Sequence, residues 1–590
     1  MSGIHIMYIV IAFVLLFLVT YDVGTIIAFE FASGYHPSES KSAGASVMSN
    51  MLIPSISSST IFSPIDGNTS SPELNGTEGQ SNLTTPRSEP GADCIDFNST
   101  EIVITISCDA AFADIPGAVN NSNAIKKVQN EDGTWLLNSS LNVRKSATLV
   151  MNGDADFKSL RISSSSGGNE TNYASNITED NGQHGIRVFG ALNMSGIKIT
   201  SWDPTSNKHV AQNANGTIPR PYIVIEPHAD PSFITSSEIA YLGYDSPRKQ
   251  GLNMYGGEGT VISGNRIHDL WFGFSSVNVG HIIIENNSIY DNIQYGVDPH
   301  SGSHDLVVRE NHISNNTNGL VCSRDCYDIV FEGNQLDNNK EVSIMFSRNT
   351  SNSVARNNNI SNSYIGISSS ESYANNFTGN TVNANRHGLQ LKDGSAHNLI
   401  DSNKITNSLE CGIALAQVEN NTSIRNSIFS SKDKGICLSQ AAYNNIFYSN
   451  LIDSPERFGI SIKDQDTMKN IFENNTIRLA ENGIALTNNS DTVFINNILY
   501  EIKGLQYRIS DNSSLNLQQG SAVEHRIRSI GTVDNSLKLE DSGKVSLIIT
   551  DDEEDISDPF VTKTPMHDSD ASPLIKNLSP QTITEISSAP

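Results

Sequence analysis

The stretch Tyr-Gly-Val-Asp-Pro-His at residues 295–300 places a phenol, a carboxylate and an imidazole close together in the chain. An arginine, Arg324, follows in the next sequence unit. Together these groups suit the removal of a proton from a carbon next to a carboxylate. Arg324 would neutralise that carboxylate through paired hydrogen bonds and stabilise the charge of the carbanion. His300 would be the general base, because its intrinsic pKa lies near neutral pH.

Two neighbours complete the candidate set. Asp298 would orient or polarise the imidazole, and Tyr295 would donate or accept a proton on the opposite face of the reacting carbon. Simpler interpretations stand beside this one. The chain has 14 histidines, and an exposed histidine is usually only solvated. Arg324 with the following aspartate would form a surface ion pair of small energy, and Pro299 would mark only a bulge or a sheet edge.

A repeat supplies the elements that must position these groups. An asparagine followed two residues later by an aliphatic residue recurs about every 23 residues. These asparagines are Asn265, Asn287, Asn311, Asn334, Asn358, Asn380, Asn403, Asn426, Asn450 and Asn475, with a weaker unit at Asn497. Each unit ends in a Gly-aliphatic-x-aliphatic element, and three extended segments per unit predict one coil of a right-handed parallel β-helix. The leucine-rich repeat has a similar period, but its leucine spacing and helical period are missing here.

The predicted fold class is therefore all-β, and its geometry orders the candidate residues. Because side chains alternate along a strand, Val297 should point into the core while Asp298 and His300 point outward. Adjacent parallel strands lie about 4.8 Å apart, so Arg324 of the next coil should lie beside His300. The repeated asparagine should form a side-chain ladder at its turn.

The chain is expected to contain four regions. Residues 1–31 are apolar and typical of a signal peptide or a single membrane anchor, and residues 32–92 form a Ser/Thr/Pro/Asn-rich linker. The β-helix is predicted for residues 93–525, with its start, up to about residue 147, acting as an N-terminal cap. Residues 526–590 are predicted to be an acidic and largely disordered tail.

The net charge of −26 argues against nucleic acid or an anionic membrane surface as a general partner. Of six cysteines, Cys94 and Cys108 are expected to pair, whereas Cys322, Cys326, Cys411 and Cys437 lie far apart in the repeats. No zinc-finger spacing and no calcium-binding nonapeptide repeat occurs, so no cofactor is predicted. Many Asn-x-Ser/Thr sequons suit an exported glycoprotein, and a monomer is expected.

The region from about residue 219 to 400 resembles the mannuronan C5-epimerases of the periplasmic type. The motif at residues 295–300 carries most of the resemblance, and the segments at 269–274 (DLWFGF) and 383–391 (NANRHGLQL) support it. The resemblance implies that His300 removes H5 and that Arg324 neutralises the substrate carboxylate. Tyr295 and Asp298 match the motif's tyrosine and aspartate. The chain departs from the family at Ser301, where an aspartate or glutamate is frequent.

The resemblance implies an enzyme that epimerises C5 of uronic acid residues, of the mannuronate-to-guluronate type, in an anionic exopolysaccharide. Substrate-binding candidates on later coils are Arg348, Arg386, His387 and Lys392, although each also suits a plain surface charge. Two other functions remain open: a polysaccharide lyase acting by β-elimination, and a non-catalytic cell-surface β-helix that binds carbohydrate. In each case the protein is expected to be secreted or anchored at the cell surface, with the β-helix outside the cytoplasm.

Overall fold

The computed structural model describes residues 94–164, 183–489, 491–511 and 513–518, and five strands beyond residue 523. The predicted segment 1–31, the linker 32–92 and much of the tail lie outside the described residues. Within the described part, no helix is both long and apolar enough to span a membrane.

The chain winds into a right-handed parallel β-helix of about 15 coils with about 24 residues each, which confirms the predicted fold class. The strands form three sheets, here called sheets 1, 2 and 3 in chain order. Each central coil contributes one strand to each sheet, and that strand pairs in parallel with the equivalent strand of the next coil.

Sheet 1 comprises Ile95–Asn98, Val103–Ile106, Ser140–Val143, Gly185–Val188, Tyr222–Ile225, Gly251–Met254, Phe272–Val277, Tyr295–His300, Asn318–Ser323, Val342–Ser347, Ile365–Ser370, His387–Lys392, Cys411–Ala416, Lys434–Ser439, Phe458–Lys463, Asn482–Thr487, Tyr507–Ser510, Glu524–Ile530, Lys544–Thr550 and Thr584–Ile586. Sheet 2 comprises Ala110–Ala111, Thr148–Asn152, Ala191–Ser195, Phe233–Thr235, Val261–Ser263, Ile283–Glu285, Val307–Arg309, Val330–Glu332, Val354–Arg356, Asn376–Thr378, Leu399–Asp401, Thr422–Ile424, Ile446–Tyr448, Ile471–Glu473, Val493–Ile495, Ser514–Gln518, Ser536–Glu540 and Leu574–Ile575. Sheet 3 comprises Ile125–Lys127, Thr134–Leu137, Ser159–Ser163, Lys198–Trp202, Glu238–Ala240, Arg266–His268, Ser288–Tyr290, His312–Ser314, Gln335–Asp337, Asn359–Ser361, Thr381–Asn383, Lys404–Thr406, Ser427–Phe429, Leu451–Asp453, Thr476–Arg478 and Ile498–Tyr500.

The core forms because inward residues stack on like residues of the next coil. Along sheet 2, for example, Ile284 is in register with Val308, and Val308 with Phe331. All three are fully buried, as is Val297 of sheet 1, whose inward direction was predicted. Burial of a branched or aromatic side chain at each step stabilises the stack by roughly 1.5–3 kcal/mol per side chain.

Asparagine ladders satisfy the buried polar groups at the turns. The predicted ladder is present: the backbone and side-chain N–H groups of Asn265 both donate to the Oδ1 of Asn287, at 2.9 and 3.0 Å. The same bonds recur coil after coil as far as Asn497. Further ladders at the other turns, such as Asn292 to Asn316, were not predicted, because the surrounding sequence is rich in asparagine and masks their period.

The N-terminal end is closed by a short cap. The antiparallel pair Ile95–Asn98 and Val103–Ile106 is followed by a 3-10 turn, Phe112–Asp114, and a short helix, Ile115–Val119, whose Ile115 is fully buried. The predicted Cys94–Cys108 disulfide is present.

One expectation needs correction. Cys411 and Cys437 do not lie far apart but form a disulfide, because their separation of 26 residues is close to one coil and puts them on adjacent strands of sheet 1. Near the predicted boundary at residue 525, the strands Glu524–Ile530 and Lys544–Thr550 pair in parallel with each other, and Glu524–Ile530 pairs with Tyr507–Ser510. The boundary itself stays a prediction. Cys322 and Cys326 are buried free thiols.

Candidate active site

The strand Tyr295–His300 carries the candidate residues on the outer face of sheet 1. Asp298 is in register with Ser275 of the preceding coil, and His300 is in register with Val277. On the other side His300 pairs with Ser323. With Val297 in the core, the alternation of the strand places the aspartate and the histidine on the opposite face of sheet 1, where His300 is half-buried and Asp298 is buried.

Arg324 and Arg348 lie one and two coils beyond His300. Each arginine directly follows the last residue of a sheet 1 strand, and these two last residues, Ser323 and Ser347, are in register. The backbone φ of Arg324 is 66° and that of Arg348 is 52°. Both arginines are exposed, and neither forms an ion pair with a carboxylate of the described residues. The positive charges of both arginines lower the pKa of His300, and the charge of Arg348 also acts to lower the pKa values of Asp298 and Tyr295. The structure therefore brings these five residues together.

The imidazole of His300 is poised as a neutral base. Burial, followed by the positive charges of Arg324 and Arg348, lowers the pKa of His300 to about 4. The Nδ1 atom lies 2.6 Å from the hydroxyl oxygen of Ser301. At neutral pH the ring is therefore uncharged and able to accept a proton.

No hydrogen bond joins Asp298 to His300 among the described residues. The imidazole Nδ1 contacts Ser301, whereas Oδ1 of Asp298 has no hydrogen-bond partner there. The side chain of Asp298 is 3% exposed, and burial raises its pKa well above the usual value, against the opposing charge of Arg348. Its role in orienting or polarising the imidazole stays a prediction.

Tyr295 lies at the beginning of the same strand with its hydroxyl protonated. Burial raises the pKa of Tyr295 to about 12, and the nearby carboxyl groups of Asp298 and Glu341 act in the same direction. Its ring packs on Phe272 at 4.7 Å between centroids, and Phe272 stacks on Trp271. These two rings come from the 269–274 segment that supported the resemblance, and the sequence reasoning gave them no role in holding the tyrosine.

The remaining predicted binding residues lie further along the sheet. Lys392 shares the register of His300 four strands on, roughly 19 Å away, and its ammonium contacts Asp393 at 2.9 Å. Arg386 and His387 lie at the opposite end of that strand, where both contact Glu410, at 2.7 and 3.3 Å. These two are not brought beside Arg324.

The comparisons with known proteins agree with this geometry. Residues 250–401 and 366–522 match the family model of the right handed beta helix region. A mannuronan C5-epimerase of Pseudomonas putida is 26% identical over 236 residues, which cover 37% of this chain and 45% of that protein. A mannuronan C5-epimerase of Pseudomonas syringae pv. tomato is 27% identical over 208 residues, covering 33% and 38%.

The matched region thus spans less than half of each of these curated relatives. Among solved structures, the crystal structure of the periplasmic alginate epimerase AlgG superposes with a TM-score of 0.52 at 20% identity, covering 59% of this chain and 85% of that chain. This likeness shows a shared fold. The chain is a right-handed parallel β-helix protein whose sequence resembles those of the mannuronan C5-epimerases.

Proposed function

We propose that this protein epimerises C5 of uronic acid residues in an anionic exopolysaccharide, of the mannuronate-to-guluronate type. The observation that carries the proposal is the pair of arginines without acidic partners, Arg324 and Arg348, beside the neutral imidazole of His300. In a chain with a net charge of −26, this is a local site for an anion. The family relatives named above, which are mannuronan C5-epimerases, support the same reaction class.

The reaction begins with neutralisation of the substrate carboxylate. Arg324 and Arg348 hold this group by charge-assisted hydrogen bonds, which become stronger as negative charge builds up on it. His300 then takes the proton from C5, and the electron pair of that bond delocalises into the carboxylate as an enediolate. The neutral imidazole gains a proton and becomes cationic, so the site's charge is unchanged overall.

Inversion requires a proton from the other face of the carbanion. Tyr295 is the proposed donor, since burial raises its pKa to about 12 and its hydroxyl is therefore protonated at neutral pH. Water is the alternative donor, and Asp298, whose pKa is raised by burial, would hydrogen-bond the enediolate in its protonated form. After product release, His300 loses its proton to solvent and the donor regains one, so no cofactor is consumed.

The stacked strands suit a polymer that lies along sheet 1. Each coil advances by about 4.8 Å, and Lys392 offers a positive charge four strands from the reacting sugar. Arg386 and His387 remain candidates for substrate contacts, where a uronate would compete with Glu410. We propose that the reaction takes place outside the cytoplasm, in a secreted or surface-anchored protein, because two disulfides are present and such bonds persist in oxidising compartments. We propose a monomer.

The test uses the full chain with polymannuronate and reads the ratio of the two C5 epimers by NMR and unsaturated ends by ultraviolet absorbance. The proposal expects inversion without absorbance, lost in His300→Asn. His304→Asn is the matched control, because His304 also contacts its following residue but lies beyond the strand, on the turn to sheet 2. Absorbance in place of inversion identifies a lyase. If neither product forms from any polyuronate, the protein is a binder and the proposal fails.

A further inference from the structure

Among the described residues, three histidines make the same local contact with the next residue, and the one in the candidate site alone makes it with an uncharged group. Nδ1 of His268 lies 2.7 Å from a carboxylate oxygen of Asp269, and Nδ1 of His304 lies 2.8 Å from that of Asp305. In both cases the partner is the next residue and has a positive φ, 58° and 51°. Ser301, with a φ of 43°, takes that place after His300.

The backbone of Ser301 is held by the coils on both sides. Its N–H donates to the carbonyl of Ser323, and its own carbonyl accepts from Asn278, both at 3.0 Å. The left-handed conformation is therefore fixed by the stacking of coils rather than by the serine side chain. Ser301 can therefore be replaced by aspartate without a change of backbone conformation, since aspartate already has the equivalent conformation after the other two histidines.

An acceptor at Nδ1 decides which ring nitrogen has the lone pair. When the serine oxygen accepts a hydrogen bond from Nδ1–H, the ring proton stays on Nδ1 and Nε2 is unprotonated. Nε2 is then the nitrogen that can take a proton from a substrate. An aspartate would enforce the same tautomer, but its negative charge would stabilise the imidazolium. Serine gives the tautomer without the charge.

The other groups around His300 supply no compensating negative charge. The preceding coil presents Val277, which is in register with it, and the following coils present Arg324 and Arg348. On its own strand, burial raises the pKa of Asp298 well above its usual value, which disfavours the charged carboxylate. Asp325, beside Arg324, is exposed and accepts a hydrogen bond from the amide of Asn349.

We propose that Ser301 is a positioning residue. Its hydroxyl oxygen accepts a hydrogen bond from the Nδ1–H group of His300, which leaves the Nε2 lone pair available to a substrate lying along sheet 1. Unlike the aspartates beside His268 and His304, it adds no negative charge. This rests on the proposed function, in which His300 is the base. Its consequence is an enzyme that works at acid pH, where a histidine paired with a carboxylate would already be protonated.

The test combines nitrogen NMR of 15N-histidine in the full chain with pH profiles of kcat/KM. In the wild-type protein the Nδ1-protonated tautomer is expected. Ser301→Asp should move the titration of His300, and the acid limb of kcat/KM with it, upward by about one pH unit or more. Ser301→Ala should lower kcat about tenfold or more with little change in KM, because the tautomer is no longer held.

Two further variants separate positioning from folding. Ser301→Asn tolerates the left-handed backbone and offers a neutral acceptor, so it should keep both the tautomer and the acid limb of the wild-type protein. Asp305→Ser is the reverse exchange after His304, and it should leave catalysis unchanged.

The inference is overturned if Ser301→Asp leaves the titration of His300 within a few tenths of a pH unit, or if Ser301→Ala keeps a single Nδ1-protonated tautomer. The NMR readout requires no turnover. Absence of epimerisation together with the expected tautomer and shift would therefore reject the proposed function alone. Epimerisation without them would reject the role of Ser301 alone.

Discussion

Arginines on sheets 2 and 3 and the two arginines beside His300 have different surroundings. On sheet 2, Arg309 contacts Glu285 of the preceding coil at 2.7 Å, and Arg356 contacts Glu332 at 2.8 Å. Sheet 3 repeats the arrangement with Arg478 and Asp453. Beside His300, Arg324 and Arg348 stand on adjacent coils with no carboxylate partner among the described residues.

Under the proposed function, this difference separates arginines that form ion pairs between coils from two arginines that would bind the substrate. An exposed ion pair between coils contributes little, about 0–1 kcal/mol, but it leaves no net charge. No carboxylate of the described residues neutralises Arg324 or Arg348. In the proposal, the carboxylate of the bound uronate does so.

The largest effect is expected from removing one of these unpaired arginines. Arg324→Gln should lower kcat/KM on polyuronate about a thousandfold, because the enediolate loses a charged partner. Arg356→Gln removes an arginine of similar exposure from an ion pair on sheet 2 and should leave kcat/KM unchanged. Steady-state kinetics of both variants measures this difference. Equal losses of kcat/KM in the two variants would show that the unpaired arginine has no special role in the reaction.

A smaller loss is expected at the proposed proton donor. Tyr295→Phe keeps the ring packing on Phe272 but removes the hydroxyl, and it should lower kcat about a hundredfold. Exchange of H5 with solvent should persist in this variant, since His300 still removes the proton. Wild-type kcat in Tyr295→Phe would instead assign the donor role to water.

The pH profile tests the charges around the imidazole. The pKa of His300 is lowered to about 4, so the base is neutral above that value and activity is lost as the pH falls through it. At pH 5.5 an unshifted histidine would cost about tenfold in kcat/KM, whereas nearly full activity is expected here. An acid limb near pH 6.5 would show that neither burial nor the two arginines lower the pKa of this ring.

The smallest effect concerns stability at Asp298. Burial raises its pKa in the folded state, so its contribution to stability is present at low pH and is lost as the pH rises through the folded-state value. Asp298→Asn should therefore stabilise the fold at pH 8, by on the order of 1 kcal/mol, and much less near pH 4. Thermal unfolding at both pH values measures this, with the exposed Asp325→Asn as the control that should change neither.

The geometry that follows from strand periodicity was predictable from sequence. The inward direction of Val297, the ladder from Asn265 and the position of Arg324 one coil beyond His300 all depend on alternation and on a constant coil length. These quantities can be read from a repeat because the backbone pairing enforces them at every turn.

Contacts that depend on turn conformation were not predictable. The bond from His300 to Ser301 requires a left-handed residue held by neighbouring coils. The pairing of Arg386 and His387 with Glu410 depends on where Arg386 and Glu410 lie, just before the strands that follow them. The Cys411–Cys437 disulfide was missed for a related reason, since its residues occupy different positions along adjacent strands.

The central claim is that the imidazole beside the unpaired arginines removes H5 of a bound uronate. Incubating the full chain with polymannuronate in deuterated water, and reading deuterium at each carbon by NMR, tests this directly. Deuterium should appear only at C5, at one atom per inverted sugar, and should be absent with His300→Asn. Inversion without deuterium at C5, or deuterium that persists in His300→Asn, would contradict it.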